Sequence, residues 1–289
     1  MCIALGFFDS LHRGHAAVVS NAVKFADAHE FLCAVFTFEN NPFEVLGKDT
    51  KLIYTFGERR ELLKDIGVDV IKSAQFDKAF MSQTPEQFLE SLINSYNIKY
   101  ISCGYDYKFG KNCAGGVPFL RRFCEKHNIP LEIAPEVQID GVKVSSTLIR
   151  ERLAGGDIAA ANKFLTAPYC VFGRVEKGRG AGGKMGIPTA NISISPEKQP
   201  LGAGVYATDT FIGGKKYASV TNAGGKPTFN ENAYGIETHI MGFDNTDLYG
   251  EYIKIEFLGK IRNIMPFPSK EELRKRIEKD MLIRKGEYR

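Results

Sequence analysis

The 289-residue sequence contains no run of apolar residues approaching the length of a membrane span, so no membrane partner is expected. It also lacks a secretory leader ahead of its first motif, because Met1 leads almost directly to Gly6. The expectation is therefore a cytoplasmic chain. Surplus charge is small: 38 Lys and Arg stand against 34 Asp and Glu, a formal net charge of +4. Without a basic stripe, nucleic acid is not an expected partner, although a slightly basic balance suits phosphorylated small molecules. Six cysteines occur, at Cys2, Cys33, Cys103, Cys113, Cys124 and Cys170, with no CxxC pair among them and no histidine at zinc-like spacing. They read as buried or partly buried free thiols of a reducing compartment. Internal repeats and low-complexity segments are absent as well.

What is present divides into two textures. The first alternates strand and helix patterns. Cys2 to Leu5 and Phe31 to Phe38 read as buried strands, and Val19, Ala22, Val23 and Ala26 recur at helical spacing. Thr84-Pro85-Glu86-Gln87 has the form of a helix start with a capping box. Lys99 to Cys103 and Leu131 to Ile139 read as strands and Pro118 to Lys126 as a helix. Ser145 and Ser146 can cap a further helix running to about Leu153. Such alternation implies a parallel sheet covered on both faces. After about residue 165, glycines crowd Gly173 to Gly186. Short strand patterns then follow closely, at Gly204 to Phe211, Lys216 to Asn222, Gly235 to Phe243 and Glu251 to Leu258. These suggest an antiparallel barrel, closed by a C-terminal helix that begins at Ser269 with Glu272 three positions on. The expected fold class is α/β plus β, with domains at 1–160 and 161–289.

Two sets of motifs carry chemistry. Gly6-Phe7-Phe8-Asp9-Ser10-Leu11-His12-Arg13-Gly14-His15 lies where the first strand meets the first helix. Strand ends in parallel sheets receive ligands, and the helix N-terminus offers free N–H groups to phosphate. His12 and His15 bracket Gly14, so both imidazoles can donate to one phosphoryl group. Ser145-Ser146-Thr147-Leu148-Ile149-Arg150 is a second anion site by composition, hydroxyls at a helix start followed by arginine. In the other half, Gly178-Arg179-Gly180-Ala181-Gly182-Gly183-Lys184-Met185 approaches a P-loop. Met185 replaces the magnesium-binding hydroxyl, and Pro188 follows in place of a helix, so a P-loop is rejected. The loop continues into Gly186-Ile187-Pro188-Thr189-Ala190-Asn191. Further on come Thr221 to Phe229, Ile236-Glu237-Thr238-His239-Ile240 and Leu248-Tyr249-Gly250. Singly, each could be an ordinary turn or strand residue; their joint order is what makes them specific.

The first set is the HxGH signature of the nucleotidyltransferases. With Cys103 to Gly110 and the SSTxxR stretch, it resembles the bacterial FMN adenylyltransferase module. The second set resembles riboflavin kinase over most of residues 170–289. The resemblance implies a Rossmann-like N-terminal domain that transfers adenylyl from ATP to FMN, and a kinase-type barrel that phosphorylates riboflavin. It further implies ATP and phosphate contacts from Gly6, Phe8, Asp9, Gly14, Ser145, Ser146, Thr147 and Arg150 in one half, and from Gly178, Gly182, Lys184 and Gly186 in the other. Asp106, Phe109, Asn222 and Arg262 would touch flavin, Thr189 and Asn191 would hold Mg2+, and Glu237 would be the base. The sequence departs from the adenylyltransferase pattern in two places. Ser10 stands where glycine is usual, and Asn40-Asn41 stands where the second strand usually ends in a histidine-containing stretch. Two other readings stand beside this one: a riboflavin kinase with a silent first domain, and a non-enzymatic flavin-binding regulatory protein. Analysis of the flavin products separates the three.

Overall fold

The computed structural model describes residues 1–177, 187–225, 234–243 and 248–288. Contacts divide the chain into two compact units, Met1–Ser146 and Thr147–Arg289. The division falls ahead of the 160/161 boundary expected from the change in composition.

In the first unit the order is β1 (Cys2–Leu5), α1 (Arg13–His29), β2 (Cys33–Phe38), α2 (Pro42–Val45), α3 (Phe56–Asp65) and β3 (Val70–Ala74). There follow α4 (Lys78–Ser82), α5 (Pro85–Ser95), β4 (Tyr100–Gly104), β5 (Lys108–Phe109) and β6 (Gly115–Gly116). Last come α6 (Val117–His127), β7 (Leu131–Ala134) and the hairpin of β8 (Gln138–Ile139) and β9 (Val142–Lys143). Five strands form a parallel sheet in the order β3-β2-β1-β4-β7. β1 is central and buried along its whole length, consistent with its unbroken apolar run. Val18, Val19, Ala22 and Ala26 form the buried stripe of α1. The chain builds from β1 through β2 to β3, then crosses back to β4 on the other side of β1. The order therefore reverses between β1 and β4, where a crevice opens at the carboxyl ends of the strands.

Local signals account for several boundaries. Thr84 and Gln87 close a reciprocal capping box at the start of α5, with Pro85 in the first turn. The stretch Leu131 to Ile139, expected as one strand, is two. Pro135 follows β7 directly and has no N–H to give a ladder. Asp140 and Gly141 then take positive φ (52° and 75°) to make the tight turn between β8 and β9. All six cysteines are free; five are buried, whereas Cys113, expected to be at least partly buried, is exposed.

The second unit opens with α7 (Ser146–Gly155, its first residue in the preceding unit) and α8 (Ile158–Phe164). Then come β10 (Cys170–Glu176), β11 (Ala190–Ile192), β12 (Gly204–Ile212), β13 (Lys215–Gly225), β14 (Tyr234–Ile240), β15 (Tyr252–Arg262) and α9 (Lys270–Glu287). The six strands close into a barrel ordered β10-β11-β14-β13-β12-β15, every pair antiparallel. Part of its interior is filled by hydroxyls rather than hydrocarbon. Thr208, Thr210, Ser219, Thr221 and Thr238 are fully buried. They join in one chain of hydrogen bonds of 2.7–2.8 Å. Each hydroxyl finds a partner, which removes the cost of burying it. Ser269 caps α9 by accepting the Glu272 N–H at 3.2 Å. The helix packs on β12, β13 and β15. Arg284, nearly buried, pairs with buried Asp209 and donates to the Thr208 carbonyl at 2.9 Å. Fully buried Asp280 accepts from Arg262 and Arg276.

Candidate functional site

In the first unit the turn from β1 into α1 is held in an unusual backbone path. Phe8 and Leu11 both have positive φ (55° and 48°), uncommon for residues with side chains of this size. The Phe8 ring folds back over Gly6, where an added Cβ would lie 2.8 Å from Phe8 Cζ; glycine is required there. Asp9 is 2% exposed. Its carboxylate accepts the Ile53 N–H at 3.0 Å and its carbonyl the Tyr54 N–H at 3.1 Å. The Ser10 hydroxyl lies 2.9 Å from that of Ser146. In place of glycine, therefore, this chain links the turn to the first residue of α7.

His12 is the N-cap of α1. Its Nδ1 accepts the His15 N–H at 3.0 Å, so its proton resides on Nε2. The two imidazoles stack with centroids 3.7 Å apart and planes 13° from parallel. Gly14 makes room for this arrangement: a Cβ there would come within 3.0 Å of His12 Cε1. Phe8 meets the His15 ring edge-on at 5.5 Å. Burial lowers the His12 pKa to about 4, against opposing effects from a backbone hydrogen bond and the charge of Asp106. Burial also pushes His15 well below the ordinary range, helped by the charges of His12 and Arg59. Both imidazoles are neutral at pH 7 and can donate to an anion without first being charged. His15 Nδ1 is buried and has no protein partner.

These groups floor one end of a cavity of about 640 Å³ opening at the β1–β4 crevice. Ser145 and Ser146 line the same end, and Asp106 stands at the rim. The other end is aromatic, walled by Phe36, Phe38, Phe76, Phe80, Phe88 and Phe109. Phe109 is packed between Tyr107 (5.3 Å) and Phe88 (5.7 Å). Asn40 and Asn41 have structural partners. Asn40 exchanges two hydrogen bonds with the backbone of Phe76 (3.0 and 2.8 Å), anchoring the aromatic end. Asn41 caps α2 through the Phe43 N–H at 3.1 Å and donates to the Thr50 carbonyl at 2.9 Å. Thr147 and Arg150 follow on α7 within the second unit.

On the barrel, three strands align a row of polar side chains. Asn191 on β11 pairs in register with Glu237 on β14, which pairs in turn with Asn222 on β13. The row faces outward, since the flanking Ala190, Ile236, Thr238 and Thr221 are the buried residues of these strands. The Thr189 hydroxyl donates to Glu237 Oε1 at 2.5 Å. His239 donates from Nδ1 to the Pro188 carbonyl at 2.9 Å, fixing the segment that carries Thr189. Thr189, Asn191, Asn222 and Glu237, scattered over 49 positions of sequence, thus meet on one face. Arg262 on β15 extends the same register beyond Asn222, across Val205 of β12; it is paired with Asp280 at 2.9 Å and lies over the Phe267 ring at 5.5 Å. Gly178, Gly182, Lys184 and Gly186 lie outside the described residues.

Sequence reasoning did not find two features. One is the aromatic wall; its signal was the repetition of phenylalanine at Phe36 and Phe38 and again at Phe76 and Phe80. The other is Arg59 on α3, fully buried beneath the β1–α1 turn. No motif marks it, and its neighbours in sequence read as an ordinary charged helix face.

Comparison with known proteins adds to this geometry. The sequence model of the FAD synthetase family matches residues 1–148, and that of the riboflavin kinase family matches residues 165–285. A bifunctional riboflavin kinase/FMN adenylyltransferase of Haemophilus influenzae is 34% identical, over 96% of this chain and 91% of its own length. The Bacillus subtilis protein of the same name is 32% identical, over 96% and 89%. A crystal structure from Streptococcus pneumoniae, titled a macrolide-efflux protein, superposes with a TM-score of 0.86 at 29% identity. It covers 98% of this chain and 93% of that one.

Proposed function

The chain belongs to the family of bifunctional riboflavin kinases/FMN adenylyltransferases, and from that premise we propose how its residues divide two reactions. The barrel transfers the γ-phosphoryl group of ATP to riboflavin, giving FMN and ADP. The first unit joins FMN to the α-phosphorus of a second ATP, giving FAD and pyrophosphate. The family assignment supports both activities and ATP as co-substrate.

The observation that carries this division is the barrel row, where Glu237 is hydrogen-bonded by Thr189 and flanked in register by Asn191 and Asn222. A ribityl hydroxyl is un-ionised at neutral pH, so its attack on phosphorus needs a base, and Glu237 is the carboxylate placed to take the proton. The Thr189 hydroxyl and Asn191 amide are oxygen donors beside that carboxylate, a set that fits a hard divalent cation. They would hold Mg2+, which would neutralise charge on the ATP phosphates. Asn222 would orient the flavin. Gly178, Gly182, Lys184 and Gly186 would cover the phosphates, and Arg262 would bound the flavin side.

In the first unit the attacking group is a phosphate, already ionised, so no base is required. The task is to position two phosphate-bearing substrates and stabilise charge on the transferring phosphorus. His12 Nε2–H and the N-terminal amides of α1 serve that purpose. Gly6, Phe8, Asp9 and Gly14 shape the turn that presents them. The orphaned His15 Nδ1 is a further polar contact for substrate, with Ser145 and Ser146 as additional phosphate ligands. The flavin ring would lie against Phe109 and the aromatic wall, with Asp106 at its edge. Free thiols and ATP-dependent chemistry support a cytoplasmic location.

The test is to incubate the purified chain with riboflavin, ATP and magnesium and to separate the flavins by chromatography. FMN should appear first and FAD after it, and His15→Ala should stop the sequence at FMN. FMN alone from the unaltered chain would remove the adenylyl-transfer assignment, and no conversion would remove both.

A further inference from the structure

Arg59 is 0% exposed, yet its hydrogen bonds go to neutral acceptors. One guanidinium nitrogen donates to the Phe7 carbonyl at 2.8 Å and to the Thr37 hydroxyl at 2.7 Å; the other donates to the Phe38 carbonyl at 2.8 Å. The Thr37 hydroxyl itself donates to the Phe7 carbonyl at 2.8 Å. The plane of the cation lies over the Phe7 ring, 4.7 Å from its centroid, while its Nε has no partner. One fork therefore ties the loop after β1 to the last residues of β2. The helix that carries Arg59 is fixed by the same loop, because Asp9 holds Ile53 and Tyr54 just ahead of the Thr55–Glu58 capping box that starts α3. Loop and helix hold each other.

Burying a cation against neutral partners is expensive, and the expense needs a return. A neutral residue of similar shape would fill the same space. What it would not supply is a fixed positive charge under a turn whose business is phosphate. Nor would it hold three acceptors at once, and so keep Phe8 and Leu11 at the positive φ that brings His12 over His15. We propose that Arg59 is a positioning residue of adenylyl transfer: through the Phe7 carbonyl it fixes the β1–α1 turn that presents His12 and His15, and it sets a fixed positive charge beneath that turn. The titratable and charged groups around His15 are His12, the N-cap of its helix, Arg59 from α3, Asp9 in the turn and Asp106 after β4. Burial first, then His12 and Arg59, disfavour protonation of His15. Asp106 acts mainly on His12, and Asp9 on Arg59.

This inference rests on the adenylyl-transfer reading, and the full-length chain tests both. Arg59→Met, Arg59→Lys and Thr37→Val are assayed for FAD formation from FMN and ATP, with riboflavin phosphorylation in the same chain as the control. Arg59→Met should lower kcat for FAD about 10- to 100-fold with KM for FMN little changed, as expected for a misplaced turn. Arg59→Lys keeps the charge without the fork and should recover only part of the kcat lost in Arg59→Met. Thr37→Val should lose several-fold. Kinase turnover should stay at the wild-type value throughout. A kcat within twofold of wild type in both Arg59→Lys and Thr37→Val overturns the proposal, whether or not Arg59→Met folds. So does a folded Arg59→Met whose loss appears in KM for FMN and not in kcat. Absence of FAD from the wild-type chain itself would instead remove the reading beneath it.

Discussion

At the scale of single residues, the two sites differ in what they ask of their polar groups. In the proposed kinase reaction Glu237 is the base; its carboxylate is partly accessible and is oriented by one short bond from Thr189. Glu237→Gln keeps the shape and the Thr189 contact but removes the basicity. It should lower kcat for riboflavin phosphorylation about 10²- to 10⁴-fold. KM for ATP should change little, and FMN adenylylation by the same protein should be unaffected. Steady-state kinetics of the two half-reactions, run separately, check this. In the proposed adenylyl transfer His12 and His15 are donors; burial keeps them neutral and they stack on one another. The HxGH spacing was legible in the sequence because one residue pair states it. What the sequence could not state is the reason for Gly14, which yields space to the His12 ring, nor the presence of Arg59 beneath it. Both depend on a fold-back of the chain that no local pattern encodes. Asn40 and Asn41 make the converse point. Seen as letters they are a departure from a motif; in three dimensions they are a helix cap and a clamp on Phe76.

At the scale of elements, regular structure followed from local signals wherever one period or one cap dominated. α5 begins at its capping box, and β1 and β2 lie where apolar runs are densest. The strand expected from Leu131 to Ile139 failed because one proline outweighed a favourable pattern on both sides. The barrel strands were legible as alternation, but their interior was not, since threonine and serine at inward positions look like surface residues on paper. Thr221 is the joint of that interior, bonded to Thr208 at 2.7 Å and to Thr238 at 2.8 Å. Thr221→Val preserves volume and strands both neighbours, and should destabilise the barrel by about 1–3 kcal/mol. Thr221→Ser, which keeps the hydroxyl, should cost less. Urea unfolding followed by tyrosine fluorescence distinguishes them, and equal losses would mean that the hydroxyl chain contributes nothing beyond packing.

At the scale of the whole molecule, the chain carries two compact units with separate cores and separate chemistry. The product of one reaction is the substrate of the other, and FMN is a stable, diffusible molecule. A chain silenced by His15→Ala and a chain silenced by Glu237→Gln should therefore complement each other. Mixed in equal amounts with riboflavin and ATP, they should yield FAD, although neither does so alone. Chromatography of the mixture checks this; FMN accumulating without FAD would mean that the intermediate is used only within the molecule that made it. The two cores also differ in a way that reaches temperature. The parallel sheet is packed with aliphatic and aromatic side chains, whereas the barrel keeps five buried hydroxyls at its centre. Exposing hydrocarbon raises the heat capacity of an unfolding chain and exposing polar groups lowers it. Buried residue for buried residue, the hydroxyl-lined barrel should add less to the heat capacity of unfolding, and so curve its stability less with temperature, than the parallel sheet.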